Sequence, residues 1–333
     1  MIYYWSPDYN TPVGGVKIIY RDVDVLNANG IRASVLHRKR GFRCTWFENA
    51  TRVAYMGRIT LTAEDYLVIP EVYGPLYAHP EERPKAARVF RKLFASPAAK
   101  VVFNQNAYNT FGGLSMDVHA RRVLYTDPGV RAAMVVSDDN RAYLMRAFPH
   151  LPVLRIHNAI DPKLFFFQTE KKPQICFMPR KNPDHALQVI NILRFAGDLE
   201  GVGVVPIEGL SEKQTARIMQ ESLMFLSFGY PEGFSLPPAE AMACGCIVVG
   251  YHGMGGREYF KPEFCFPVEM GDILSFAQTV STVLSLHREE PETIRRMARR
   301  ASDFIRQTYS PERERDDILD CWRFIMDQTG KSL

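Results

Sequence analysis

Short, apolar, β-branched runs recur between segments of helical spacing along most of the chain, and few folds accommodate that rhythm. Strands covered by helices on both faces read as unbroken apolar runs, and parallel sheets are built from them. In the first half the predicted strands are Ile2–Trp5, Ala33–His37, Val53–Met56, Tyr66–Pro70, Val101–Gln105, Ala132–Ser137 and Val153–Ile156, with helices over Gly15–Asn29 and Glu82–Phe94. In the second half they are Ile175–Pro179, Val202–Ile207, Leu223–Phe228, Ile247–Tyr251 and Phe264–Val268, with helices near 184–195, 211–221, 237–244 and 271–286. Two α/β sheets in tandem are expected, and 333 residues suffice for two cores of about 150 residues each.

Turn chemistry in Asn158-Ala159-Ile160-Asp161-Pro162 and a polar stretch from Gln168 to Pro173 place the junction within 158–172. Ser310-Pro311-Glu312 reads as an N-cap followed by proline at the first helical position, so a separate last helix over 311–328 follows. The expected domains are 1–160, 161–310 and a helical segment 311–333.

The net charge of +4 is mild, and the basic residues fall in short clusters (His37-Arg38-Lys39-Arg40 with Arg43, and Arg295-Arg296 with Arg299-Arg300) instead of one continuous face. These read either as solvated loops and helix ends or as contacts for an anionic membrane or phosphate-bearing acceptor; no nucleic-acid partner is expected. The six cysteines show neither paired CxxC spacing nor the density of a disulfide scaffold, which predicts reduced, buried thiols. There is no 18-residue apolar run, and the first residues lack the pattern of a signal peptide. The expected location is cytoplasmic, with peripheral contact at the inner face of the membrane left open.

Residues 231–250 read PEGFSLPPAEAMACGCIVVG, with Glu232 and Glu240 eight positions apart. A buried strand over Leu223–Phe228 would lead through a loop at 229–235 into a helix beginning near Pro237-Pro238, with Glu240 in its first turn. Such a loop delivers backbone N–H groups and the positive end of a helix dipole to the strand's C-terminal edge, which is an anion site. Both carboxylates would face the crevice where open α/β sheets bind ligands, so phosphates flanked by two polyols suit the arrangement. Taken alone, the two glutamates fit equally a helix N-terminal preference and a surface loop.

The whole string resembles the C-terminal signature of the retaining glycosyltransferases of group 1, family 4. In that pattern E-x(7)-E has Gly-Phe-x-Leu after its first glutamate and Ala-Met-Ala-x-Gly-x-Pro/Ile-Val-Val after its second. Three further segments are similar to the family: His157-Asn158-Ala159-Ile160-Asp161, Gly253-Met254-Gly255-Gly256-Arg257-Glu258, and the Gly14-Gly15 turn. The resemblance implies a GT-B fold: two facing Rossmann-like domains, the last helix returning to the N-terminal one. It implies a metal-independent retaining hexosyl- or deoxyhexosyltransferase of polysaccharide biosynthesis, with no cofactor. The donor would be a nucleotide-diphosphate sugar and the acceptor a glycan or lipid-linked saccharide.

Roles carried over by resemblance put Glu240 on the ribose hydroxyls, Glu232 on a hydroxyl of the transferred sugar, and the backbone of Gly233-Phe234-Ser235-Leu236 on the sugar and distal phosphate. Gly14 and Gly15 would let backbone approach the diphosphate. The family's cationic pair is altered here: Arg180 is kept, but His185 stands at the lysine's spacing and Lys181 directly follows the arginine. Arg180 is expected to neutralise the departing diphosphate, with Lys181 supplying the second charge and His185 as the competing candidate. The family's N-domain histidine is also missing, and Asn106 either occupies its place as a neutral donor or is a surface turn. Glu208 is a candidate for the base pocket and Glu71 for the acceptor side. The D-x-D spacing of Asp22-Val23-Asp24 falls within the helical pattern Val16, Ile19, Val23, Leu26 and is assigned to a solvated helix face, so no metal site is expected. The rival classes are a GT-B-fold sugar-nucleotide epimerase, a phosphorylase, and a non-catalytic sugar-nucleotide binder.

Overall fold

The computed structural model describes residues 1–78, 84–114, 116 and 123–330. It divides into two compact units: Met1–His157 with the segment from Glu314 onward, and Asn158–Arg313. The predicted helix start at Glu82 lies outside the described residues.

The first unit is built on β1 (Ile2–Trp5), β2 (Ala33–His37), β3 (Val53–Tyr55), β4 (Tyr66–Pro70), β5 (Ala99–Asn104), β6 (Val130–Val135) and β7 (Val153–Arg155). Among the described residues these form one sheet in the order β3-β2-β1-β4-β5-β6-β7, parallel at every pairing. Helices α1 (Gly14–Ala28), α2 (Gly74–Ala78), α3 (Pro84–Phe94) and α4 (Asp138–Ala147) accompany it. β2 and β4 are buried at all five positions, because sheet faces covered on both sides leave no solvated side to alternate with.

The helix α1 buries Val16, Ile19, Val23 and Leu26 as the pattern predicts, but it also buries Asp22 completely. The solvated-face assignment is therefore wrong for Asp22. The cover comes from α10 (Pro311–Gln328), where Glu314 pairs with Arg21 at 2.5 Å and Trp322 Nε1 donates to Tyr4 Oη at 3.0 Å. Among the described residues neither oxygen of Asp22 makes a well-formed hydrogen bond, and burial, reinforced by the Glu314 charge and only partly offset by Arg21 and the Tyr4 hydroxyl, pushes its carboxyl well above the usual range. Asp24 is exposed and accepts from Thr51 Oγ1 at 2.7 Å. His37, placed by its sequence in a basic cluster, is likewise fully buried: Tyr20 Oη lies 2.7 Å from Nε2, and Asp8 3.0 Å from Nδ1.

In the second unit β8 (Lys172–Phe177), β9 (Gly203–Pro206), β10 (Ser222–Phe228), β11 (Ile247–Tyr251) and β12 (Phe266–Pro267) form a parallel sheet in the order β12-β11-β10-β8-β9. Its helices are α5 (Pro183–Phe195), α6 (Glu212–Glu221), α7 (Leu236–Ala243), α8 (Ile273–Glu289) and α9 (Pro291–Thr308). Phe177, Leu226, Phe228 and Val249 pack with Val189 of α5 and Phe276 of α8. Their neighbours Cys176, Phe225 and Val248 are equally buried and point to the opposite face, so helices cover this sheet on both sides. All six cysteines are free and buried, as expected. Among the described residues no helix is long and apolar enough to cross a membrane.

Candidate active site

Each sheet reverses its strand order once. From β8 the chain steps outward to β9 and then returns to β10 on the other side of β8; from β1 it goes out through β2 and β3 and returns to β4. In open parallel sheets the crossovers part at such a point, leaving a crevice beyond the carboxyl ends of the two strands.

In the second unit that point is flanked by Lys181, just after β8, and Glu232, just after β10. The Lys181 ammonium bonds both oxygens of the Glu232 carboxylate, and both side chains are largely shielded, at 16% and 17% exposure. Lys181 Nζ also lies 5.3 Å from the Tyr230 ring centroid. Arg180 beside it is exposed and makes no ion pair among the described residues. The turn carrying both cations is held by Asn182, whose left-handed backbone (φ 46°) starts α5 and whose Nδ2 donates to Phe228 O at 2.9 Å. Sequence reasoning missed Asn182; the Asn-Pro step before a helix was its signal.

Backbone lacing fixes Glu232. Its N–H donates to Gly253 O at 3.0 Å and its carbonyl accepts from Gly255 N at 3.1 Å. A Cβ on Gly255 would lie 1.8 Å from Gly233 O, so only glycine lets the two loops approach. The α7 N-terminus is a reduced anion site, since Pro237 and Pro238 lack two of the four amides a helix start offers and leave those of Leu236 and Ala239. Ser235 caps the helix without a side-chain hydrogen bond, and its carbonyl accepts from Tyr259 Oη at 2.5 Å. Phe234 is buried against Tyr259 and Tyr309. Glu240 was expected in the first turn of the helix; α7 begins one residue earlier than predicted, at Leu236, so Glu240 stands in the second turn, half-buried. Glu208 is exposed beyond β9. His185 turns to Tyr251, with Nδ1 3.1 Å from its hydroxyl.

In the first unit a cavity of about 790 Å³ opens at the reversal between β1 and β4. Glu71, directly after β4, is 4% exposed and accepts from Gln105 N at 3.1 Å. Burial raises its carboxyl to about 7 even though Gln105, Asn106 and Asn109 hydrogen-bond to it. Gln105 Nε2 donates to Gly15 O at 3.0 Å, so Glu71, Gln105 and the start of α1 form one connected cluster. Asn106 lines the same cavity, and its Oδ1 accepts from Tyr108 N at 3.0 Å, while its Nδ2 group donates to no partner among the described residues. Gly14 opens α1 beside it. The site residues named from sequence thus gather at two places, Arg180, Lys181 and 232–240 in the second unit and Gly15, Glu71 and Asn106 in the first. Among the described residues no cluster of three His, Cys, Asp or Glu side chains has metal-binding geometry.

Residues 186–320 match the family described as glycosyl transferase-like. An alpha-1,6-glucosyltransferase of Actinobacillus pleuropneumoniae is 26% identical over 251 residues, covering 73% of this chain and 71% of that protein. Sucrose-phosphate synthase from Thermosynechococcus elongatus superposes with a TM-score of 0.65 at 13% identity, covering 98% of this chain and 99% of that one. The chain is a glycosyltransferase of the GT-B fold. HepE of Anabaena, solved in complex with UDP-glucose, shares the glycosyltransferase's fold with a TM-score of 0.63 at 12% identity, covering 97% and 99% of the two chains. The family match and the charged pair of Lys181 and Glu232 thus fall in the same half of the glycosyltransferase, except that Lys181 precedes the matched span.

Proposed function

We propose that this glycosyltransferase moves a hexose from a nucleotide-diphosphate sugar to a hydroxyl of a glycan or lipid-linked saccharide, with retention at the anomeric carbon and without a metal ion. The observation that carries the reading is the Lys181–Glu232 pair at the strand-order reversal of the second unit. A donor diphosphate arriving there offers Lys181 a stronger anion and frees Glu232 to accept a sugar hydroxyl. Arg180 and the amides of Gly233 to Leu236 add to the field, Glu240 takes the ribose, and Glu208 lies toward the base. In such a transfer negative charge grows on the leaving diphosphate while the anomeric carbon becomes oxocarbenium-like, so fixed cations stabilise the transition state more than the ground state. In the first unit Glu71 orients the acceptor, with Asn106 as a neutral donor and the Gly14-Gly15 turn giving unobstructed backbone beside it. Retention follows if the acceptor attacks from the face that the phosphate leaves and the phosphate oxygen takes the proton.

The UDP-glucose bound by HepE and the glucosyltransferase activity of the Actinobacillus relative make UDP-glucose the first donor to try. Incubation with ¹³C-labelled UDP-glucose and a panel of saccharide acceptors, in EDTA, should yield an α-linked product by NMR. An inverted linkage would refute retention, and activity recovered only with added manganese would refute metal independence. Epimerised UDP-sugar with no transfer would favour the epimerase class.

A further inference from the structure

The first-unit cavity has more in it than a place for one hydroxyl. Its polar side chains are concentrated around Glu71, Gln105, Asn106 and Asn109; Arg38, which also lines it, has its Nε 3.8 Å from Asp8 Oδ2, and Asp8 and Ser6 are engaged locally. The Asp8 carboxylate is held by His37 Nδ1 and by the backbone N–H groups of Arg38 and Lys39, and Ser6 Oγ donates to Pro7 O. What remains is largely aliphatic and aromatic wall: Val13, Val16 and Ile19 from α1 and the loop before it, and Val72, Leu76 and Val89 from the α2 and α3 side. Val13 and Val72 keep 37% and 48% of their surface in water. A volume of about 790 Å³ also exceeds what a single acceptor ring needs and lies in the upper part of the range for small-molecule sites. A plain oligosaccharide, hydrated along its length, would meet hydrogen-bonding partners in one part of this cavity and unsatisfying hydrocarbon elsewhere.

Resting on the transferase reading above, we infer that the acceptor is an amphiphile: a hydroxyl-bearing head set against the Glu71, Gln105 and Asn106 cluster, and an apolar segment lying along the valine and leucine walls. The head supplies the attacking oxygen. Burial of the tail supplies affinity that the few polar contacts cannot.

Equilibrium binding of methyl, hexyl and octyl β-D-glucopyranoside to the full chain, by calorimetry below their micelle concentrations and without any donor, tests the assignment. Affinity should rise with chain length, octyl binding at least tenfold more tightly than methyl. Val72→Asp and Val13→Asp, both at exposed positions and checked for an unchanged thermal melt, should each abolish most of that gain and leave the methyl glycoside unaffected. Affinity independent of chain length, or a gain that survives both substitutions, overturns the inference. Because no nucleotide sugar is present, failure of UDP-glucose transfer leaves this result standing, and failure here leaves the donor reading standing.

Discussion

The two sheets of the glycosyltransferase reverse strand order in the same manner and furnish the resulting crevices in opposite ways. Beyond β8 and β10 stand a cation, a carboxylate and two glycine loops laced backbone to backbone. Beyond β1 and β4 stand a buried carboxyl whose pKa burial raises to about 7 and a wide, largely apolar cavity. On the function proposed above, the contrast has a reason: a diphosphate has one charge and one geometry whatever sugar it carries, so a site for it can be rigid, whereas acceptors differ, and a cavity lined by side chains on helices and loops is where such differences would be accommodated.

The sharpest way to break this contrast is to remove charge from the second unit. Arg180→Ala should lower turnover by about 10² to 10³, the scale of losing one preorganised donor to developing negative charge. A loss below about tenfold in steady-state kinetics would mean that Lys181 alone carries the field. Next, Glu240→Ala should weaken nucleoside diphosphate binding by about 1–3 kcal/mol, whereas Glu232→Ala should spare it and depress turnover; calorimetry beside kinetics separates the two, and equal affinity in wild type and Glu240→Ala removes the ribose role.

The first unit is probed through protons. Glu71 titrates near 7 when folded and near the ordinary carboxylate value when unfolded. Its contribution is therefore fully present below the unfolded value and lost as pH rises through about 7. Melting curves from pH 4.5 to 8 should show a decline of up to about 3 kcal/mol that Glu71→Gln flattens; an identical slope in the variant would place the titration elsewhere. The smallest effect is expected at His185, which bonds Tyr251 and not Glu232. His185→Ala should change turnover less than about twofold at every pH. A rate that falls above neutral pH in wild type but not in the variant would instead give His185 the lysine's role.

Much of this was legible in the sequence because strands buried on both faces announce themselves: Leu223–Phe228 is apolar at five of six positions, and the observed strand begins one residue earlier. The glycines of 253–256 and the string from Glu232 to Val249 could be read because loop geometry there demands particular residue types. Asp22 could not. Its helix shows a sound apolar stripe at Val16, Ile19, Val23 and Leu26, and what buries the neighbouring carboxyl is a helix almost three hundred residues later, invisible to any local pattern. The union of Lys181 with Glu232 was hidden for a similar reason, since 51 positions separate residues that parallel strand pairing brings side by side. Cavities leave no local signature at all, so Glu71 was found as a strand end and its aliphatic surroundings were not.

The hydrogen bond between Trp322 and Tyr4 spans 318 positions, and it sets an order of events during synthesis. The second unit is continuous and can close as soon as its own residues leave the ribosome. The first must wait with Tyr4, Tyr66 and the Asp22 carboxyl uncovered while everything up to Glu314 is translated, which at ordinary elongation rates means about ten to thirty seconds. The older half of the chain is thus the last to be finished, and for that interval a hydrophobic seam beside the central strand is open to any chaperone, or to any other nascent chain, that reaches it before the final helix does.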